Sequence, residues 1–257
     1  MKNAIKTICS KLFYPVARKL GYVREVQNGQ SAGSKDVLLN NFYDCLLKTN
    51  IQIKHIVDVG ANRGTWTRKA LDFFPNAYFT LIEPQSWLKE DIQDLLSTNR
   101  KIFFHAAGAG NKDGSFKFTI ADRDDSCSFK YTDEEAKKLG FRQIEIPVIT
   151  LNSLLSNSSL PVPDIIKIDA EGIDLEVLEG ASNYFGKTEL FMVEASVMNK
   201  FYENSVLKLV NFMEAAGYKL FDITDINRTV KQNALWLVEL VFVKKDGVID
   251  KTIQDYI

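Results

Sequence analysis

The chain has 257 residues, with 32 lysines and arginines against 33 aspartates and glutamates. A balance this close to neutral provides no global field to hold a nucleic-acid backbone, so a small acceptor is expected and nucleic acid is not. Three scattered cysteines, Cys9, Cys45 and Cys127, argue against a zinc knuckle, a redox pair or a disulfide framework and fit a reducing cytoplasm. No run of about 18 apolar residues offers a membrane span.

Residues 1–50 read as a basic, helical N-terminal extension and linker, and 51–257 as one α/β domain. Ile5, Ile8, Leu12, Val16 and Leu20 recur at helical spacing among lysines and arginines, interrupted by Pro15. Such a segment is suited to weak contact with an anionic membrane surface, although a solvated helix face is the commoner outcome. The polar run from Gln27 to Asp36 reads as a loop before a helix near Val37 to Lys48.

Strands and helices then alternate. Strand one is expected at His55–Val59, a helix at Gly64–Phe74, strand two at Ala77–Glu83, a helix near Gln85–Ser97 and strand three at Lys101–His105. Between Ser115 and Thr150 the apolar period drops to two, as in SFKFTI and IEIPVI. The expectation there is a small β insertion at about 112–150 around the polar loop ADRDDSCS. Strand four (Asp164–Asp169), a helix from Ile173 to Gly180, strand five (Glu189–Glu194) and a helix around Glu203–Ala216 resume the crossover rhythm. Tyr218–Ile223 and Leu235–Val243 lack room for a crossover helix between them and should form an antiparallel hairpin. The sum is a Rossmann-like sheet of seven strands, the last antiparallel, with ligands at the carboxyl ends of the parallel strands.

The chemistry begins at IVDVGANRGTWT, residues 56–67. A dinucleotide fingerprint needs glycine in the middle of its turn, where Asn62 stands between Gly60 and Gly64. Asp58 places a carboxylate beside a helix amino terminus, offsetting the positive end that attracts phosphate. A ligand with ribose hydroxyls and positive charge but no phosphate fits better, and S-adenosyl-L-methionine is such a ligand. Glu83 would take the ribose hydroxyls, the backbone around Gly60, Ala61, Asn62 and Gly64 the carboxylate, Asp58 and Asp169 the cationic end. Ala106, Ala107 and Gly108 are small enough to wall the adenine.

Taken in order, IVDVGANRGTWT, LIEP and IKIDAEGIDLEVLEGA (166–181) resemble the FkbM family of S-adenosylmethionine-dependent methyltransferases over about residues 53–245. The resemblance implies a class I methyltransferase domain and methylation of a hydroxyl oxygen on a sugar or polyketide-like acceptor. Ala170 departs from the valine more usual in that family.

An alcohol needs a base or a metal to become a nucleophile at neutral pH. Asp169 or Glu171 is expected as the base, with Glu194 orienting it. His105 is a further candidate at the same edge, while His55 at the opposite edge reads as structural. Lys167 and Asp169 share a strand face and should pair when buried. A variant has Asp169 and Glu194 holding magnesium, with the metal-free base preferred. Trp66, Phe129, Phe201 and Tyr202 are aromatics able to stack on a sugar, and Asp122, Arg123, Asp124 and Asp125 form a polar loop within reach of a polyol. Two other functions share the pattern, a nicotinamide-dependent oxidoreductase and a non-catalytic S-adenosylmethionine-binding module. Oligomeric state is not written in the sequence.

Overall fold

The computed structural model describes residues 35–98, 101–121, 123, 126–198 and 204–253. The basic N-terminal segment, the loop residues Asp122, Asp124 and Asp125, and the aromatics Phe201 and Tyr202 lie outside the described residues. Helix α1 (Lys35–Lys48) leads to β1 (His55–Val59), α2 (Thr65–Phe73) and β2 (Tyr78–Ile82). A 3₁₀ segment (Ser86–Ile92) and α3 (Gln93–Thr98) then precede β3 (Ile102–His105). All five residues of β1 are buried, as expected of a parallel strand covered on both faces.

The main sheet has the order β3-β2-β1-β7-β8-β10-β9, where β7 is Ile165–Ile168, β8 Leu190–Ser196, β9 Tyr218–Arg228 and β10 Leu235–Lys244. The strands β3, β2, β1, β7 and β8 are parallel, and β10 runs antiparallel to both β8 and β9. The expected seven strands with the last antiparallel are therefore present.

Each face of the sheet carries its own core. Leu39, Phe42, Tyr43 and Leu46 stand at i, i+3, i+4 and i+7 along α1 and bury one stripe in a cluster with Ile56, Phe79 and Val241. Residues 35–48, read from sequence as part of an extension, are thus built into the core of the domain. The opposite face packs β-strand residues Val57, Ile166, Phe191 and Leu240 against α5 (Leu151–Ser156), α6 (Asp174–Glu179) and α7 (Val206–Ala215).

The insertion is a three-stranded sheet of order β4-β6-β5, from β4 (Gly108–Ala109), β5 (Gly114–Ile120) and β6 (Arg142–Ile149). Its antiparallel β5–β6 pair matches the two-residue period, but β4 joins parallel to β6 and helix α4 (Asp133–Leu139) interrupts the strands. That helix has a reciprocal capping box, with Thr132 accepting from Glu135 N and the Glu135 carboxylate accepting from Thr132 N. The helix expected over Gln85–Ser97 is split into a 3₁₀ segment and α3 because its start is pinned, with Gln85 N donating to Glu83. A final short helix, α8 (Val248–Thr252), follows β10. Among the described residues no helix is long and apolar enough to cross a membrane.

Candidate active site

The turn after β1 is locked by backbone geometry. Gly60 has φ 73°, and a Cβ there would lie 1.9 Å from the Asp169 carbonyl oxygen. Only glycine lets the two loops approach so closely. Asn62 takes φ 48°, at the position where a dinucleotide turn keeps its middle glycine. Its N–H donates to Glu83 Oε2 at 2.7 Å, so the amide that would meet a phosphate is already spent on a carboxylate.

Glu83 follows β2 and is 2 % exposed. Its other oxygen, Oε1, accepts from Gln85 N at 2.9 Å. Burial raises the carboxyl's pKa and these amide donors pull it back. Glu83 lines a cavity together with Gly60, Asn62, Pro84 and Gln85 on one side, and Asp169, Ala170, Glu171 and Ile173 on another. Gly108, Ala109, Phe118, Cys127 and Phe129 form its remaining wall.

Sequence reasoning found Gly60, Asn62, Glu83, Asp169 and Glu171, all of which this cavity brings together. Of the three small residues expected as a wall, Gly108 lines the cavity together with its neighbour Ala109, while Ala106 is exposed and Ala107 is packed away. Gly108 and Ala109 form β4, which pairs with the insertion. Pro84 and Gln85 were legible as neighbours of Glu83, whereas no sequence signal brings Phe118 or Cys127 here, since the insertion's return path decides it.

Asp58 is fully buried behind the cavity rather than lining it. It accepts from Thr67 Oγ1 at 2.6 Å, and its Oδ1 lies 3.4 Å from Lys167 Nζ. Lys167 reaches Asp169 Oδ2 at 3.3 Å and the Val59 and Gly60 carbonyls at 3.5 Å. Burial alone would lower the lysine's pKa, but Asp169, Asp58 and Glu239 outweigh it and hold the ammonium charged. Asp58 thus meets Lys167 rather than the cavity it was expected to line. Ala61 is core and Gly64 (φ 73°) starts α2 against Ile92 and Leu95, so both shape the turn from behind.

After β7 the chain leaves the extended conformation. Glu171 has φ 51° and Gly172 φ 99°, so Glu171 does not continue the strand face shared by Lys167 and Asp169. Asp174, 0 % exposed, organises this loop by accepting from Ala170 N at 2.8 Å, Gly172 N at 3.2 Å and Asn204 Nδ2 at 2.6 Å. Burial raises its pKa to about 7, against those donors and with Asp169 adding to the rise. Ser128 Oγ of the insertion donates to the Glu171 carbonyl at 2.9 Å and ties the two loops together. Asp174 was not singled out in the sequence; it opens α6 without capping it, and its carboxylate accepts instead from amides of the preceding loop.

Glu194 stands beside Asp169 in the sheet register, since β7 and β8 align Ile168 with Val193. Burial, then Asp169, Asp174 and Glu171, push its pKa well above the ordinary range, with Lys167 opposing. It is set back from the residues lining the cavity. His105 is half-buried at the end of β3 with its pKa lowered by burial, and it contributes its carbonyl, which accepts from Glu83 N at 3.1 Å. His55 is buried with Nδ1 2.7 Å from Pro161 O and Nε2 2.9 Å from Thr80 Oγ1, both ring nitrogens engaged structurally. Trp66 is core, edge-on to Tyr43.

Of the two carboxylates of the magnesium variant, Asp169 has its Oδ2 3.3 Å from the Lys167 ammonium, a cation that competes for the same charge.

The family model of the methyltransferase FkbM domain matches residues 58–220, which contain every element of this cavity. No curated protein matches the chain. Among solved structures, methyltransferase FkbM from Methylobacillus flagellatus KT is 17 % identical with a TM-score of 0.48, covering 73 % of this chain and 43 % of its own. This chain therefore spans less than half the length of that protein. Precorrin-6y C5,15-methyltransferase from Geobacter metallireducens is 16 % identical, TM-score 0.45, covering 79 % and 86 % of the two chains. The 1,6-didemethyltoxoflavin-N1-methyltransferase of Burkholderia thailandensis, with bound S-adenosylhomocysteine, is 11 % identical, TM-score 0.43, covering 82 % and 77 %. With the domain model matched from Asp58 through β7 and β8 to the start of β9, the chain belongs to the FkbM methyltransferase family.

Proposed function

We propose that the protein transfers the methyl group of S-adenosyl-L-methionine to a hydroxyl oxygen of a saccharide or similar small polyhydroxylated acceptor. The observation that carries this reading is one cavity lined by Glu83 and also by Asp169 and Glu171. Glu83 is oriented by two backbone amides and offers its remaining lone pairs to a ribose diol. The Gly60 turn provides backbone close to the amino-acid end, and Asp169 complements positive charge there.

The cofactor supplies a methyl group already activated by the sulfonium to which it is bonded. What the protein adds is alignment and removal of the acceptor's proton. Asp169 Oδ2 is already engaged by Lys167 Nζ at 3.3 Å, a placement that suits an electrostatic partner for the cationic cofactor more than a group that takes up the acceptor's proton. Glu171 lines the same cavity, and Ser128 fixes its backbone. Glu171 is therefore the preferred general base, and Asp169 and Glu194 tune the charge around it.

The test is thermal stabilisation. A ligand at a hundredfold excess over its dissociation constant stabilises the fold by about 2.7 kcal/mol. S-adenosylhomocysteine should raise the melting temperature, and NAD and NADP should not. Stabilisation by a nicotinamide cofactor alone would replace this reading with the oxidoreductase. Binding without methyl transfer to any hydroxylated acceptor would leave the non-catalytic module.

A further inference from the structure

Glu171 is held in the left-handed backbone region at φ 51°, a conformation that strains a residue with a β-carbon and persists only where the surroundings over-determine it. Three hydrogen bonds do so. Asp174 accepts from the N–H groups on either side of Glu171, Ala170 N at 2.8 Å and Gly172 N at 3.2 Å, and Ser128 Oγ donates to the Glu171 carbonyl at 2.9 Å. The orientation of the turn therefore follows that of the Asp174 carboxylate. Ala170, Glu171 and Ile173 line the cofactor cavity, so the same carboxylate shapes one of its walls.

What orients Asp174 comes from another part of the chain. Asn204 Nδ2 donates to Asp174 Oδ2 at 2.6 Å, shorter than either loop-amide bond, and lies 3.4 Å from the Glu194 carbonyl. Asn204 is itself anchored, because its carbonyl accepts from Ser196 N at 3.1 Å and the next residue, Ser205, bridges to Ser196 and caps α7. It is 3 % exposed, and its Oδ1 has no hydrogen-bond partner among the described residues. Both groups beside Nδ2 are acceptors, which fixes the amide with its nitrogen toward Asp174 and leaves the oxygen orphaned. Packing alone does not require an asparagine here, since a leucine would occupy similar space without a buried, unmade acceptor. The donor is what the position supplies.

We infer that Asn204 is a positioning residue for the Glu171 turn, acting through Asp174, and that it couples the chain that follows β8 to the wall of the cofactor cavity. Asn204 is not among the residues that line that cavity, so its influence on a ligand passes through the carboxylate. The charged groups facing Asp174 are Asp169 and Glu194, both acids, and among the described residues Asn204 provides its side-chain donor. The consequence for catalysis rests on the proposed methyl transfer, in which Glu171 is the base, whereas the coupling of the turn to Asn204 does not.

The test combines residue-resolved amide hydrogen exchange by NMR on the full chain with calorimetry of S-adenosylhomocysteine binding from pH 5.5 to 8.5. Asn204→Leu should speed exchange at Ala170 and Gly172 at least tenfold and leave the β7 amides of Ile166 and Ile168 within twofold. Asn204→Ser, a smaller change that cannot reach Asp174, should act in the same direction if the leucine variant folds poorly. In Asp174→Ala the same two amides should be released, and adding Asn204→Leu should speed them no further, because both changes break one linkage. Affinity in the parent should rise with pH as Asp174 ionises and holds the wall. Loss of the donor disfavours the ionised form, so this rise should move up by about half a pH unit in Asn204→Leu, with affinity at pH 8.5 within threefold of the parent. Asp169 and Glu194 are the same in both proteins and cancel from that comparison. Unchanged exchange at Ala170 and Gly172, additive effects in the double variant, or an equal loss of affinity at every pH would overturn the assignment. Failure of S-adenosylhomocysteine to bind would instead remove the cofactor reading, and the exchange rates would still decide the role of Asn204.

Discussion

Glu83, which lines the cavity, and Glu194, set back beside Asp169, are carboxylates held in different electrostatic surroundings. Glu83 receives two backbone amides from its own and the neighbouring loop, donors that lower its pKa against the penalty of burial. Glu194 is surrounded by Asp169, Asp174 and Glu171, neighbours whose charge adds to that penalty, with Lys167 the opposing cation. The first arrangement fixes an ionised group in one orientation, which suits recognition of a diol. The second makes negative charge expensive, which suits holding a cation and exchanging a proton. Lys167 joins the two halves, because it touches Asp58 and the Gly60 turn on one side and Asp169 on the other.

Removing that link should produce the largest effect. Lys167→Met leaves Asp58 and Asp169 without their cation in a buried setting, a loss on the scale of about 3–5 kcal/mol. Chemical denaturation should show it. Adding Asp58→Asn should restore part of the stability, since the two changes act on one pair and are not additive. Additive effects would mean that Lys167 serves only as packing.

Next come the acids that face the ligand. Glu171→Gln should lower methyl transfer roughly a hundredfold or more, the usual scale for losing a general base, while S-adenosylhomocysteine affinity changes little. Asp169→Asn should weaken cofactor binding as well as turnover, because Asp169 belongs to both functions. A chelator should leave the rate unchanged. Equal losses in binding and rate for both variants would erase the distinction drawn between Glu171 and Asp169. Glu83→Ala tests the other carboxylate and should cost about 1–3 kcal/mol in cofactor affinity by calorimetry, the range for hydrogen bonds to a charged group. Unchanged affinity would take Glu83 out of the recognition role.

Much of the recognition role is readable from residue order. A short strand rich in β-branched residues, a glycine turn and an acid at the end of the next strand are local patterns with fixed spacing, and β1, Gly60 and Glu83 follow from them. Asp58 is the instructive exception. Its position implied a charge near the ligand, yet the partner that neutralises it, Lys167, is 109 positions away and meets it only because β1 and β7 are neighbours in the sheet. The reaction role depends more on such distant meetings. Glu194 owes its raised pKa to burial and then to Asp169, Asp174 and Glu171, acids gathered around a loop with positive φ at Glu171 and Gly172. Helix α4 was legible in principle, since Thr132 and Glu135 have capping-box spacing and Gly140 closes the helix, but the two-residue period on both sides dominated the reading.

The smallest expected effect concerns pH, and it separates the two carboxylates most directly. Glu194 has a folded pKa raised above its unfolded value, so the folded state binds the proton more tightly. Its stabilising contribution is complete below the unfolded pKa, about 4.3. It is lost as pH rises through the folded pKa. Asp174, raised to about 7, acts in the same direction between roughly pH 4 and 7. Glu194→Gln removes one of these two terms and keeps a hydrogen-bonding side chain of the same length. The melting temperature of the variant should therefore fall less steeply than that of the parent between pH 5 and 8. At the upper end the variant should be more stable by a few degrees, the shift about 1 kcal/mol produces in a domain of this size. Glu83→Gln provides the contrast, because it replaces an acceptor of two backbone amides by a group that can accept through only one oxygen. It should lower the melting temperature across the range. If Glu194→Gln also lowers stability at pH 8, the carboxylate ring around Asp169 carries compensation equal to that around Glu83, and the difference between the two carboxylates disappears.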